Sequence, residues 1–213
     1  FRRSYYEALL PSFTDALMLG YNDYQPRVAY TISPRVRARF VALGAIDYVD
    51  INQSEDTEGG SDNSTISVGF HRLNLAVDVD LSPCLTLTTS ALAEYDYSDF
   101  FNEATGDATL SANTDGWVFQ LISTLRWKAA HGVVIEGGLD LLQNDFQASF
   151  ALPTSTLLGD PQAPAFDPIV TASRVSSPYL GIAPFVSADI TIGTLRLLPG
   201  LRLNLDDYGD RVE

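Results

Sequence analysis

No run of this 213-residue sequence stays apolar for the ~18 residues that a membrane-crossing helix needs. Cysteine is nearly missing: Cys84 stands alone, which excludes a disulfide framework and a cysteine-built metal site. Histidine is almost as scarce, with His71 and His131 far apart in the chain. Basic residues number 13 against 27 acidic ones, a formal charge of −14, so the broad basic face of a nucleic-acid binder is excluded. Neither a G-x-S-x-G nucleophile elbow nor a phosphate-cradling glycine loop occurs. No residue is therefore assigned a catalytic, cofactor-binding or metal-binding role, no cofactor is expected, and the chain reads as a non-enzyme. With 46% hydrophobic and 19% charged residues the chain is built to fold, as one large domain or two small ones.

What the sequence does have is alternation. Between Asp115 and Asp140 two runs flank a short turn at Ala129-Ala130-His131-Gly132. Trp117, Phe119, Leu121, Leu125 and Trp127 share one parity, and Val118, Gln120, Ile122, Thr124 and Arg126 share the other. Period 2 predicts a strand. The two tryptophans on one face are ten residues apart, roughly 23 Å along a membrane normal at ~3.3 Å per residue and ~45° tilt. A transmembrane barrel carries an apolar band ~25 Å tall between aromatic girdles. A soluble sandwich strand with two core tryptophans fits this one strand equally well, so the rest of the chain must decide.

The pattern recurs along the chain. Phe1–Leu10 reads as a first strand ending at Pro11, and Ser12–Leu19 as a connection with room for a short helix. In Tyr21–Ile32, residues Tyr24, Pro26, Val28, Tyr30 and Ile32 share a face; Ser33-Pro34-Arg35 turns the chain and Val36–Asp50 returns it. After the polar segment Asn52–Ser64, the strand Thr65–Leu81 slips parity between Phe70 and Leu73, which predicts a β-bulge. Ser82-Pro83-Cys84 turns into Leu85–Tyr97, with Leu85, Leu87, Ala91, Ala93, Tyr95 and Tyr97 on one face. Asp99–Asp115 and Ala151–Ser177 read as further loops, and Tyr179–Ile190 with Leu195–Asp206 as a last hairpin. Short and long connections alternate strictly, so antiparallel neighbours collect the short turns at one end and the long loops at the other. Sandwiches mix loop lengths between their ends, whereas bacterial outer-membrane barrels segregate them.

Aromatics and charges sort the same way. Tyr21, Tyr24, Tyr48, Tyr95, Tyr97, Trp117, Tyr179 and Tyr208 fall at the long-loop end, and Tyr30, Phe40 and Trp127 towards the short turns. Arg35, Arg37, Arg39, Arg126, Lys128 and Arg196 lie near short turns, while Glu55, Asp56, Glu58, Asp62, Asp99, Glu103 and Asp107 lie in the long connections. The expected fold is all-β: an antiparallel up-and-down transmembrane β-barrel with about nine strands present. Lipid leaves no backbone group unpaired, so such a barrel must close, and bacterial ones do so with even strand numbers. Nine strands, in a chain that opens at Phe1 without Met and ends on Asp210-Arg211-Val212-Glu213, fit an arc of a larger wall.

Particular residues then resemble a family. FRRSYYEALLP, followed by Tyr21-Asn22-Asp23-Tyr24-Gln25-Pro26-Arg27, by Ile32-Ser33-Pro34-Arg35 and by Leu198-Pro199-Gly200-Leu201-Arg202-Leu203, is similar to barrel strands of TonB-dependent outer-membrane receptors. The resemblance implies that residues 1–213 are part of a barrel of about 22 strands around an N-terminal plug. The plug, the remaining strands and the TonB-contacting segment are absent from these residues. It implies a multi-pass protein of the bacterial outer membrane, with the bilayer, its own plug and the TonB complex as partners. The cargo would be a small molecule such as an iron chelate, cobalamin or an oligosaccharide, drawn in with energy from that complex. Two rivals stand beside it: a porin or other outer-membrane barrel, and a soluble all-β binding module, which predicts a Trp117/Leu121/Trp127 face buried in protein.

Other residues were weighed for chemistry. Asp78 and Asp80 share a face beside a tight turn, and Asp47 and Asp50 are similar; a solvated barrel interior accounts for both. Glu94 and Asp96 are expected to face inward with Arg37 and Arg39 on a nearby strand, in wall-to-wall or wall-to-plug ion pairs. Asp56, Glu58 and Asp62 offer the oxygen ligands Ca²⁺ takes, yet their spacing is not that of an EF-hand loop, and a solvated acidic loop is expected. His71 reads as structural, Cys84 as a passive thiol, and Asn63-Ser64-Thr65 as a glycosylation pattern without meaning in a bacterial host. Ligand contacts are expected at Asn52–Ser64, Asp99–Asp115 and Ala151–Ser177, with no single ligand-binding residue known.

Overall fold

A computed structural model describes residues 2–3, 17–54, 61–104, 108–154, 169–209 and 211–212. They form one antiparallel sheet of thirteen strand segments. These are β1 (Arg2–Arg3), β2 (Leu17–Tyr24), β3 (Arg27–Ser33), β4 (Val36–Ser54), β5 (Ser61–Ser82), β6 (Leu85–Ala104) and β7 (Ala108–Ala130). Then follow β8 (Val133–Thr154), β9 (Ile169–Ile192), β10 (Leu195–Leu197), β11 (Gly200–Arg202), β12 (Leu205–Tyr208) and β13 (Arg211–Val212). From β4 to β9 each strand pairs with the next, in an up-and-down order.

Two crossings are interrupted by proline without losing register. β2 and β3 both pair with β4, and the Pro26 carbonyl between them accepts a bond from the Ala42 amide. β10 to β13 all pair with β9, with the Pro199 carbonyl accepting from the Ala188 amide. Proline donates no ladder bond but its carbonyl still accepts, so each strand bends and continues. With β1 beside β2, this reproduces the nine expected passes. Among the described residues β1 and β3 lie at one edge of the sheet and the β10–β13 row at the other.

Four two-residue turns close one end: Pro34-Arg35, Pro83-Cys84, His131-Gly132 and Gly193-Thr194. Gly132 and Gly193 adopt φ of 71° and 60°, a region open to glycine and costly for other residues. The wide connections sit at the other end, as expected. They are shorter than expected, because the ladder continues into them. β4 and β5 stay paired out to Ser54↔Ser61, β6 and β7 to Ala104↔Ala108, and β8 and β9 to Thr154↔Ile169. The described residues within 52–64, 99–115 and 151–177, all read as loops, are thus strand. Likewise Leu17–Leu19 belongs to β2 rather than to a helix, and of the proposed first strand only Arg2–Arg3 falls within the described residues.

The expected bulge between Phe70 and Leu73 is not there. Gly69↔Tyr97, His71↔Tyr95 and Leu73↔Ala93 pair in unbroken register. His71 holds an apolar-face position, and that polar residue in an apolar row mimicked a slip in the sequence.

The sheet has two unlike faces and no core. The chain exposes 15093 Å², against about 9,700 Å² for a compact monomer of its 23.2 kDa mass. Among the described residues only alanines, Ala42, Ala76, Ala148 and Ala183, are buried apolar side chains. On the apolar face Phe40, Leu75, Ala91, Leu121, Leu141, Ile182 and Leu205 make one cross-strand row. Trp117, Leu121 and Trp127 on that face are 46%, 42% and 47% exposed. The soluble reading expects them buried, and within this sheet they are not. So wide an apolar face suits contact with lipid or with further protein rather than water.

The same row measures strand tilt. Phe40 lies five residues beyond the turn at Arg35, and Leu205 eleven beyond the turn at Thr194, six strand-to-strand steps away. One residue (~3.3 Å) of slip per ~4.8 Å of strand spacing is a tilt of about 35°, within the range of closed barrels.

Candidate functional site

On the apolar face, rings gather ten to fourteen residues from the short turns. Tyr24 stacks on His71 (5.8 Å), His71 on Tyr97 (6.4 Å) and Tyr97 on Tyr95 (5.8 Å); Tyr95 meets Trp117 at a tilt (4.7 Å), and Trp117 stacks on Phe119 (5.8 Å). The Tyr24 hydroxyl lies 2.8 Å from His71 Nδ1, so this histidine is held structurally, as expected. Tyr24 lies over Gly44, Tyr97 over Gly69 and Tyr48 over Gly20, where any Cβ would meet the ring within 2.6 Å. The rings lie flat across the strand because glycine leaves the space. This is the expected girdle, with three corrections. Tyr21, Tyr179 and Tyr208 pair at positions of the opposite parity and stand on the polar face, where Tyr179 donates to Asp206 (2.7 Å). Tyr30, Phe40 and Trp127 lie four or five residues from their turns and form the second, sparser row.

The polar face is zoned from the short turns outward. First comes a rim of Arg35, Arg37, Arg126 and Lys128 around Asp78 and Asp80, in a hollow of about 720 Å³. Arg37 pairs with Asp80 (3.6 Å) and Arg39 with Asp78 (3.1 Å), while Thr86 and Thr88 donate to the same carboxylates at 3.0 and 2.9 Å. The paired aspartates are therefore satisfied wall residues, as expected. The expected wall-to-wall ion pair is present for Glu94, but Arg37 and Arg39 are not its partners. Glu94 pairs with Arg72, its register partner, at 2.5 Å, because strand pairing and not parity decides which ions meet. Asp47 and Asp50 fall on opposite faces of β4, so they form no pair.

A second zone joins three passes. Asp140, 8% exposed, accepts from Gln120 Nε2 of β7 (2.9 Å) and from Arg202 Nη2 of β11 (2.8 Å). β9 lies between Asp140 and Arg202, and the arginine crosses it where Gly181 and Ala183 are small. Asn204, Asp206 and Tyr179 complete a hollow of about 290 Å³. Asp140→Asn should cost about 1 kcal/mol in urea unfolding of the full-length protein in liposomes, since Arg202 is half exposed and water moderates the loss. A double-mutant cycle with Arg202→Gln should give a coupling of similar size, and zero coupling would refute the bridge.

The third zone lies towards the long connections, in a hollow of about 440 Å³ lined by Val68, Phe70, Arg72, Asp96, Gly116 and Phe146 among others. The Arg72 guanidinium sits 4.8 Å above the Phe70 ring. Beyond it the polar face turns apolar, with Val68, Phe146 and Phe150 at 47%, 42% and 40% exposure. The opposite face there carries Asp99, Asn113, Asp115, Asp145 and Gln147. The sequence shows this reversal as the change of apolar parity between Ile66, Val68, Phe70 and Leu73, Leu75, which reads as a bulge; in the structure the register is unbroken and the apolar face itself changes sides. Cys84 is exposed in its turn, 3.3 Å from Ser82 Oγ. Asp56 and Glu58, weighed for Ca²⁺, lie outside the described residues, as does the side chain of Asp62.

The arrangement matches solved barrels. The siderophore receptor PiuA from Acinetobacter baumannii aligns over 93% of this chain and 40% of its own, at TM-score 0.50 and 11% identity. The ferric citrate transporter FecA, in its unliganded form, aligns over 94% and 37%, at TM-score 0.51 and 11% identity. The chain has the fold of a TonB-dependent receptor barrel. It spans about two-fifths of the length of these receptor chains. No family model and no curated protein matches it. In a receptor barrel the apolar face is the lipid surface, the polar face lines the lumen, and the short turns mark the periplasmic rim.

Proposed function

We propose that the chain is part of the wall of an outer-membrane receptor that takes up a small ligand with energy from the TonB complex. The plug and the remaining strands would belong to the same, longer polypeptide. The lipid-facing band between two aromatic rows, on a sheet whose likeness is to receptor barrels, carries this reading. The ion-paired polar face supports it, because such a wall suits a lumen filled by protein and water. The neighbouring solved proteins are receptors and a transporter, which supports a transport role over an enzymatic one.

An antibody against Gln53–Asp62 should find the natural polypeptide in the outer-membrane fraction, at several times 23.2 kDa, and should label intact cells. A membrane band near 23 kDa would favour a small complete barrel, and a soluble band would end the receptor reading.

A further inference from the structure

The short-turn end of the polar face is positive, in a chain whose formal charge is −14. Six of the 13 lysines and arginines stand in or within five residues of a short turn: Arg35, Arg37, Arg39, Arg126, Lys128 and Arg196. Among the described residues four carboxylates lie as near, and each has its own arginine. Asp78 holds Arg39 at 3.1 Å, Asp80 holds Arg37 at 3.6 Å, Glu136 holds Arg126 at 3.4 Å and Asp189 holds Arg196 at 2.6 Å. Arg35 and Lys128 are left with no acidic partner among the described residues.

These pairs are not equally tight. Arg196 grips Asp189 through two nitrogens, at 2.9 and 2.6 Å. Arg37 and Arg126 stand 3.6 and 3.4 Å from their carboxylates, beyond the roughly 2.7–2.9 Å of a charge-assisted bond, so their guanidinium donors are not used up. Arg35 and Arg37 at one side and Arg126 and Lys128 at the other line the same hollow of about 720 Å³. Their strands, β4 and β7, are three steps apart in the sheet, about 14 Å. Between them Asp78 and Asp80 are already met by Arg39, Arg37 and the hydroxyls of Thr88 and Thr86. Four cations over two satisfied carboxylates leave the hollow with a surplus of two positive charges. Lipid does not reach it, because the apolar face with Trp127 is the other side of the sheet.

A dianion supplies what that surplus lacks, and one carboxylate would neutralise only half of it. Phosphate oxygens also suit the donors, since guanidinium forks bind two of them and an ammonium takes a third. We infer that the hollow at the short-turn rim binds a soluble, multiply charged oxyanion of the phosphate class, held by Arg35, Arg37, Arg126 and Lys128. The wall geometry carries the site, and only its periplasmic address rests on the receptor reading.

The full-length protein, purified in detergent, should be titrated calorimetrically with sodium pyrophosphate and with sodium acetate at low ionic strength, where charge is least screened. Pyrophosphate should bind at least about ten-fold more tightly than acetate. Arg35→Gln and Lys128→Gln should each weaken pyrophosphate about ten-fold. Arg196→Gln removes an arginine already committed to Asp189 outside the hollow and should change the affinity less than about two-fold. Heat-modifiable mobility on gels reports whether each variant is folded.

The competing occupant is a carboxylate from another part of the polypeptide. Lys128→Glu would then set like charges together and lower the urea midpoint in liposomes with no anion added. With the hollow open to solvent, that variant should match or exceed wild type, because it relieves repulsion among the cations. A lowered midpoint would overturn the inference. So would equal binding of acetate, no binding of pyrophosphate, or wild-type affinity in folded Arg35→Gln and Lys128→Gln. Loss of folding in both glutamine variants would overturn it too, since the two cations would then be holding the barrel itself. The receptor reading fails on a different result, a soluble natural polypeptide, so the two are separable.

Discussion

Leu121→Arg should destabilise the membrane-inserted protein by about 2–4 kcal/mol, the cost of an arginine at the midplane of a barrel's lipid face. Leu121 lies between Trp117 and Trp127 on a face where its neighbours across the strands are Ala91 and Leu141. An arginine there has no carboxylate to meet and no water, and it must snorkel several residues to reach either interface. The next residue gives the contrast. Ile122 points to the lumen, opposite Ser90 and Asp140, where Ile122→Arg finds water and a carboxylate nearby. It should cost less than about 1 kcal/mol. Urea unfolding of the full-length protein in liposomes measures both. Equal costs at 121 and 122 would mean that the faces have been assigned wrongly.

Gly138→Ala should be the second severe change, for a reason of backbone packing. A Cβ on Gly138 would lie 2.4 Å from the Ser123 carbonyl oxygen and 2.5 Å from Cζ of Phe185. The ring can swing aside, but the oxygen belongs to the β7–β8 ladder and cannot move without parting the strands. A cost of about 2–3 kcal/mol is expected, at the upper end for overpacking. Phe185→Leu should not rescue it, because it relieves only the ring. Gly137 next door is the control. A Cβ there would come no nearer than 3.7 Å to anything, the Phe185 carbonyl oxygen, and it points into lipid, so Gly137→Ala should be close to neutral. If both glycines tolerate alanine, the close approach of β7 to β8 at this point is wrong.

The contrast between these glycines shows what the sequence could convey. Parity is local, so Trp117 to Trp127 and the Asp78/Asp80 pair were readable residue by residue. The alternation of short turns with wide connections was readable too, and it fixed which ends face each other. Register is not local. Nothing in the spacing of Glu94 says that Arg72 rather than Arg37 stands opposite, or that Arg202 reaches past Gly181 and Ala183 to Asp140. The reading also failed where composition and geometry disagree. His71 is polar in an apolar row because it stacks in the girdle, and Ile66–Phe70 looked like a strand only up to the polar residues that prolong it.

The most direct test of the account is cysteine scanning from Trp117 to Trp127, one residue at a time, in a cysteine-free background of the full-length protein in its membrane. The odd positions should react with a lipid-phase label and resist an aqueous maleimide, and the even positions should do the reverse. That period of two, with the odd residues in lipid, is what a barrel wall requires. Uniform protection of the odd positions from both reagents would place the two tryptophans inside protein and contradict the account.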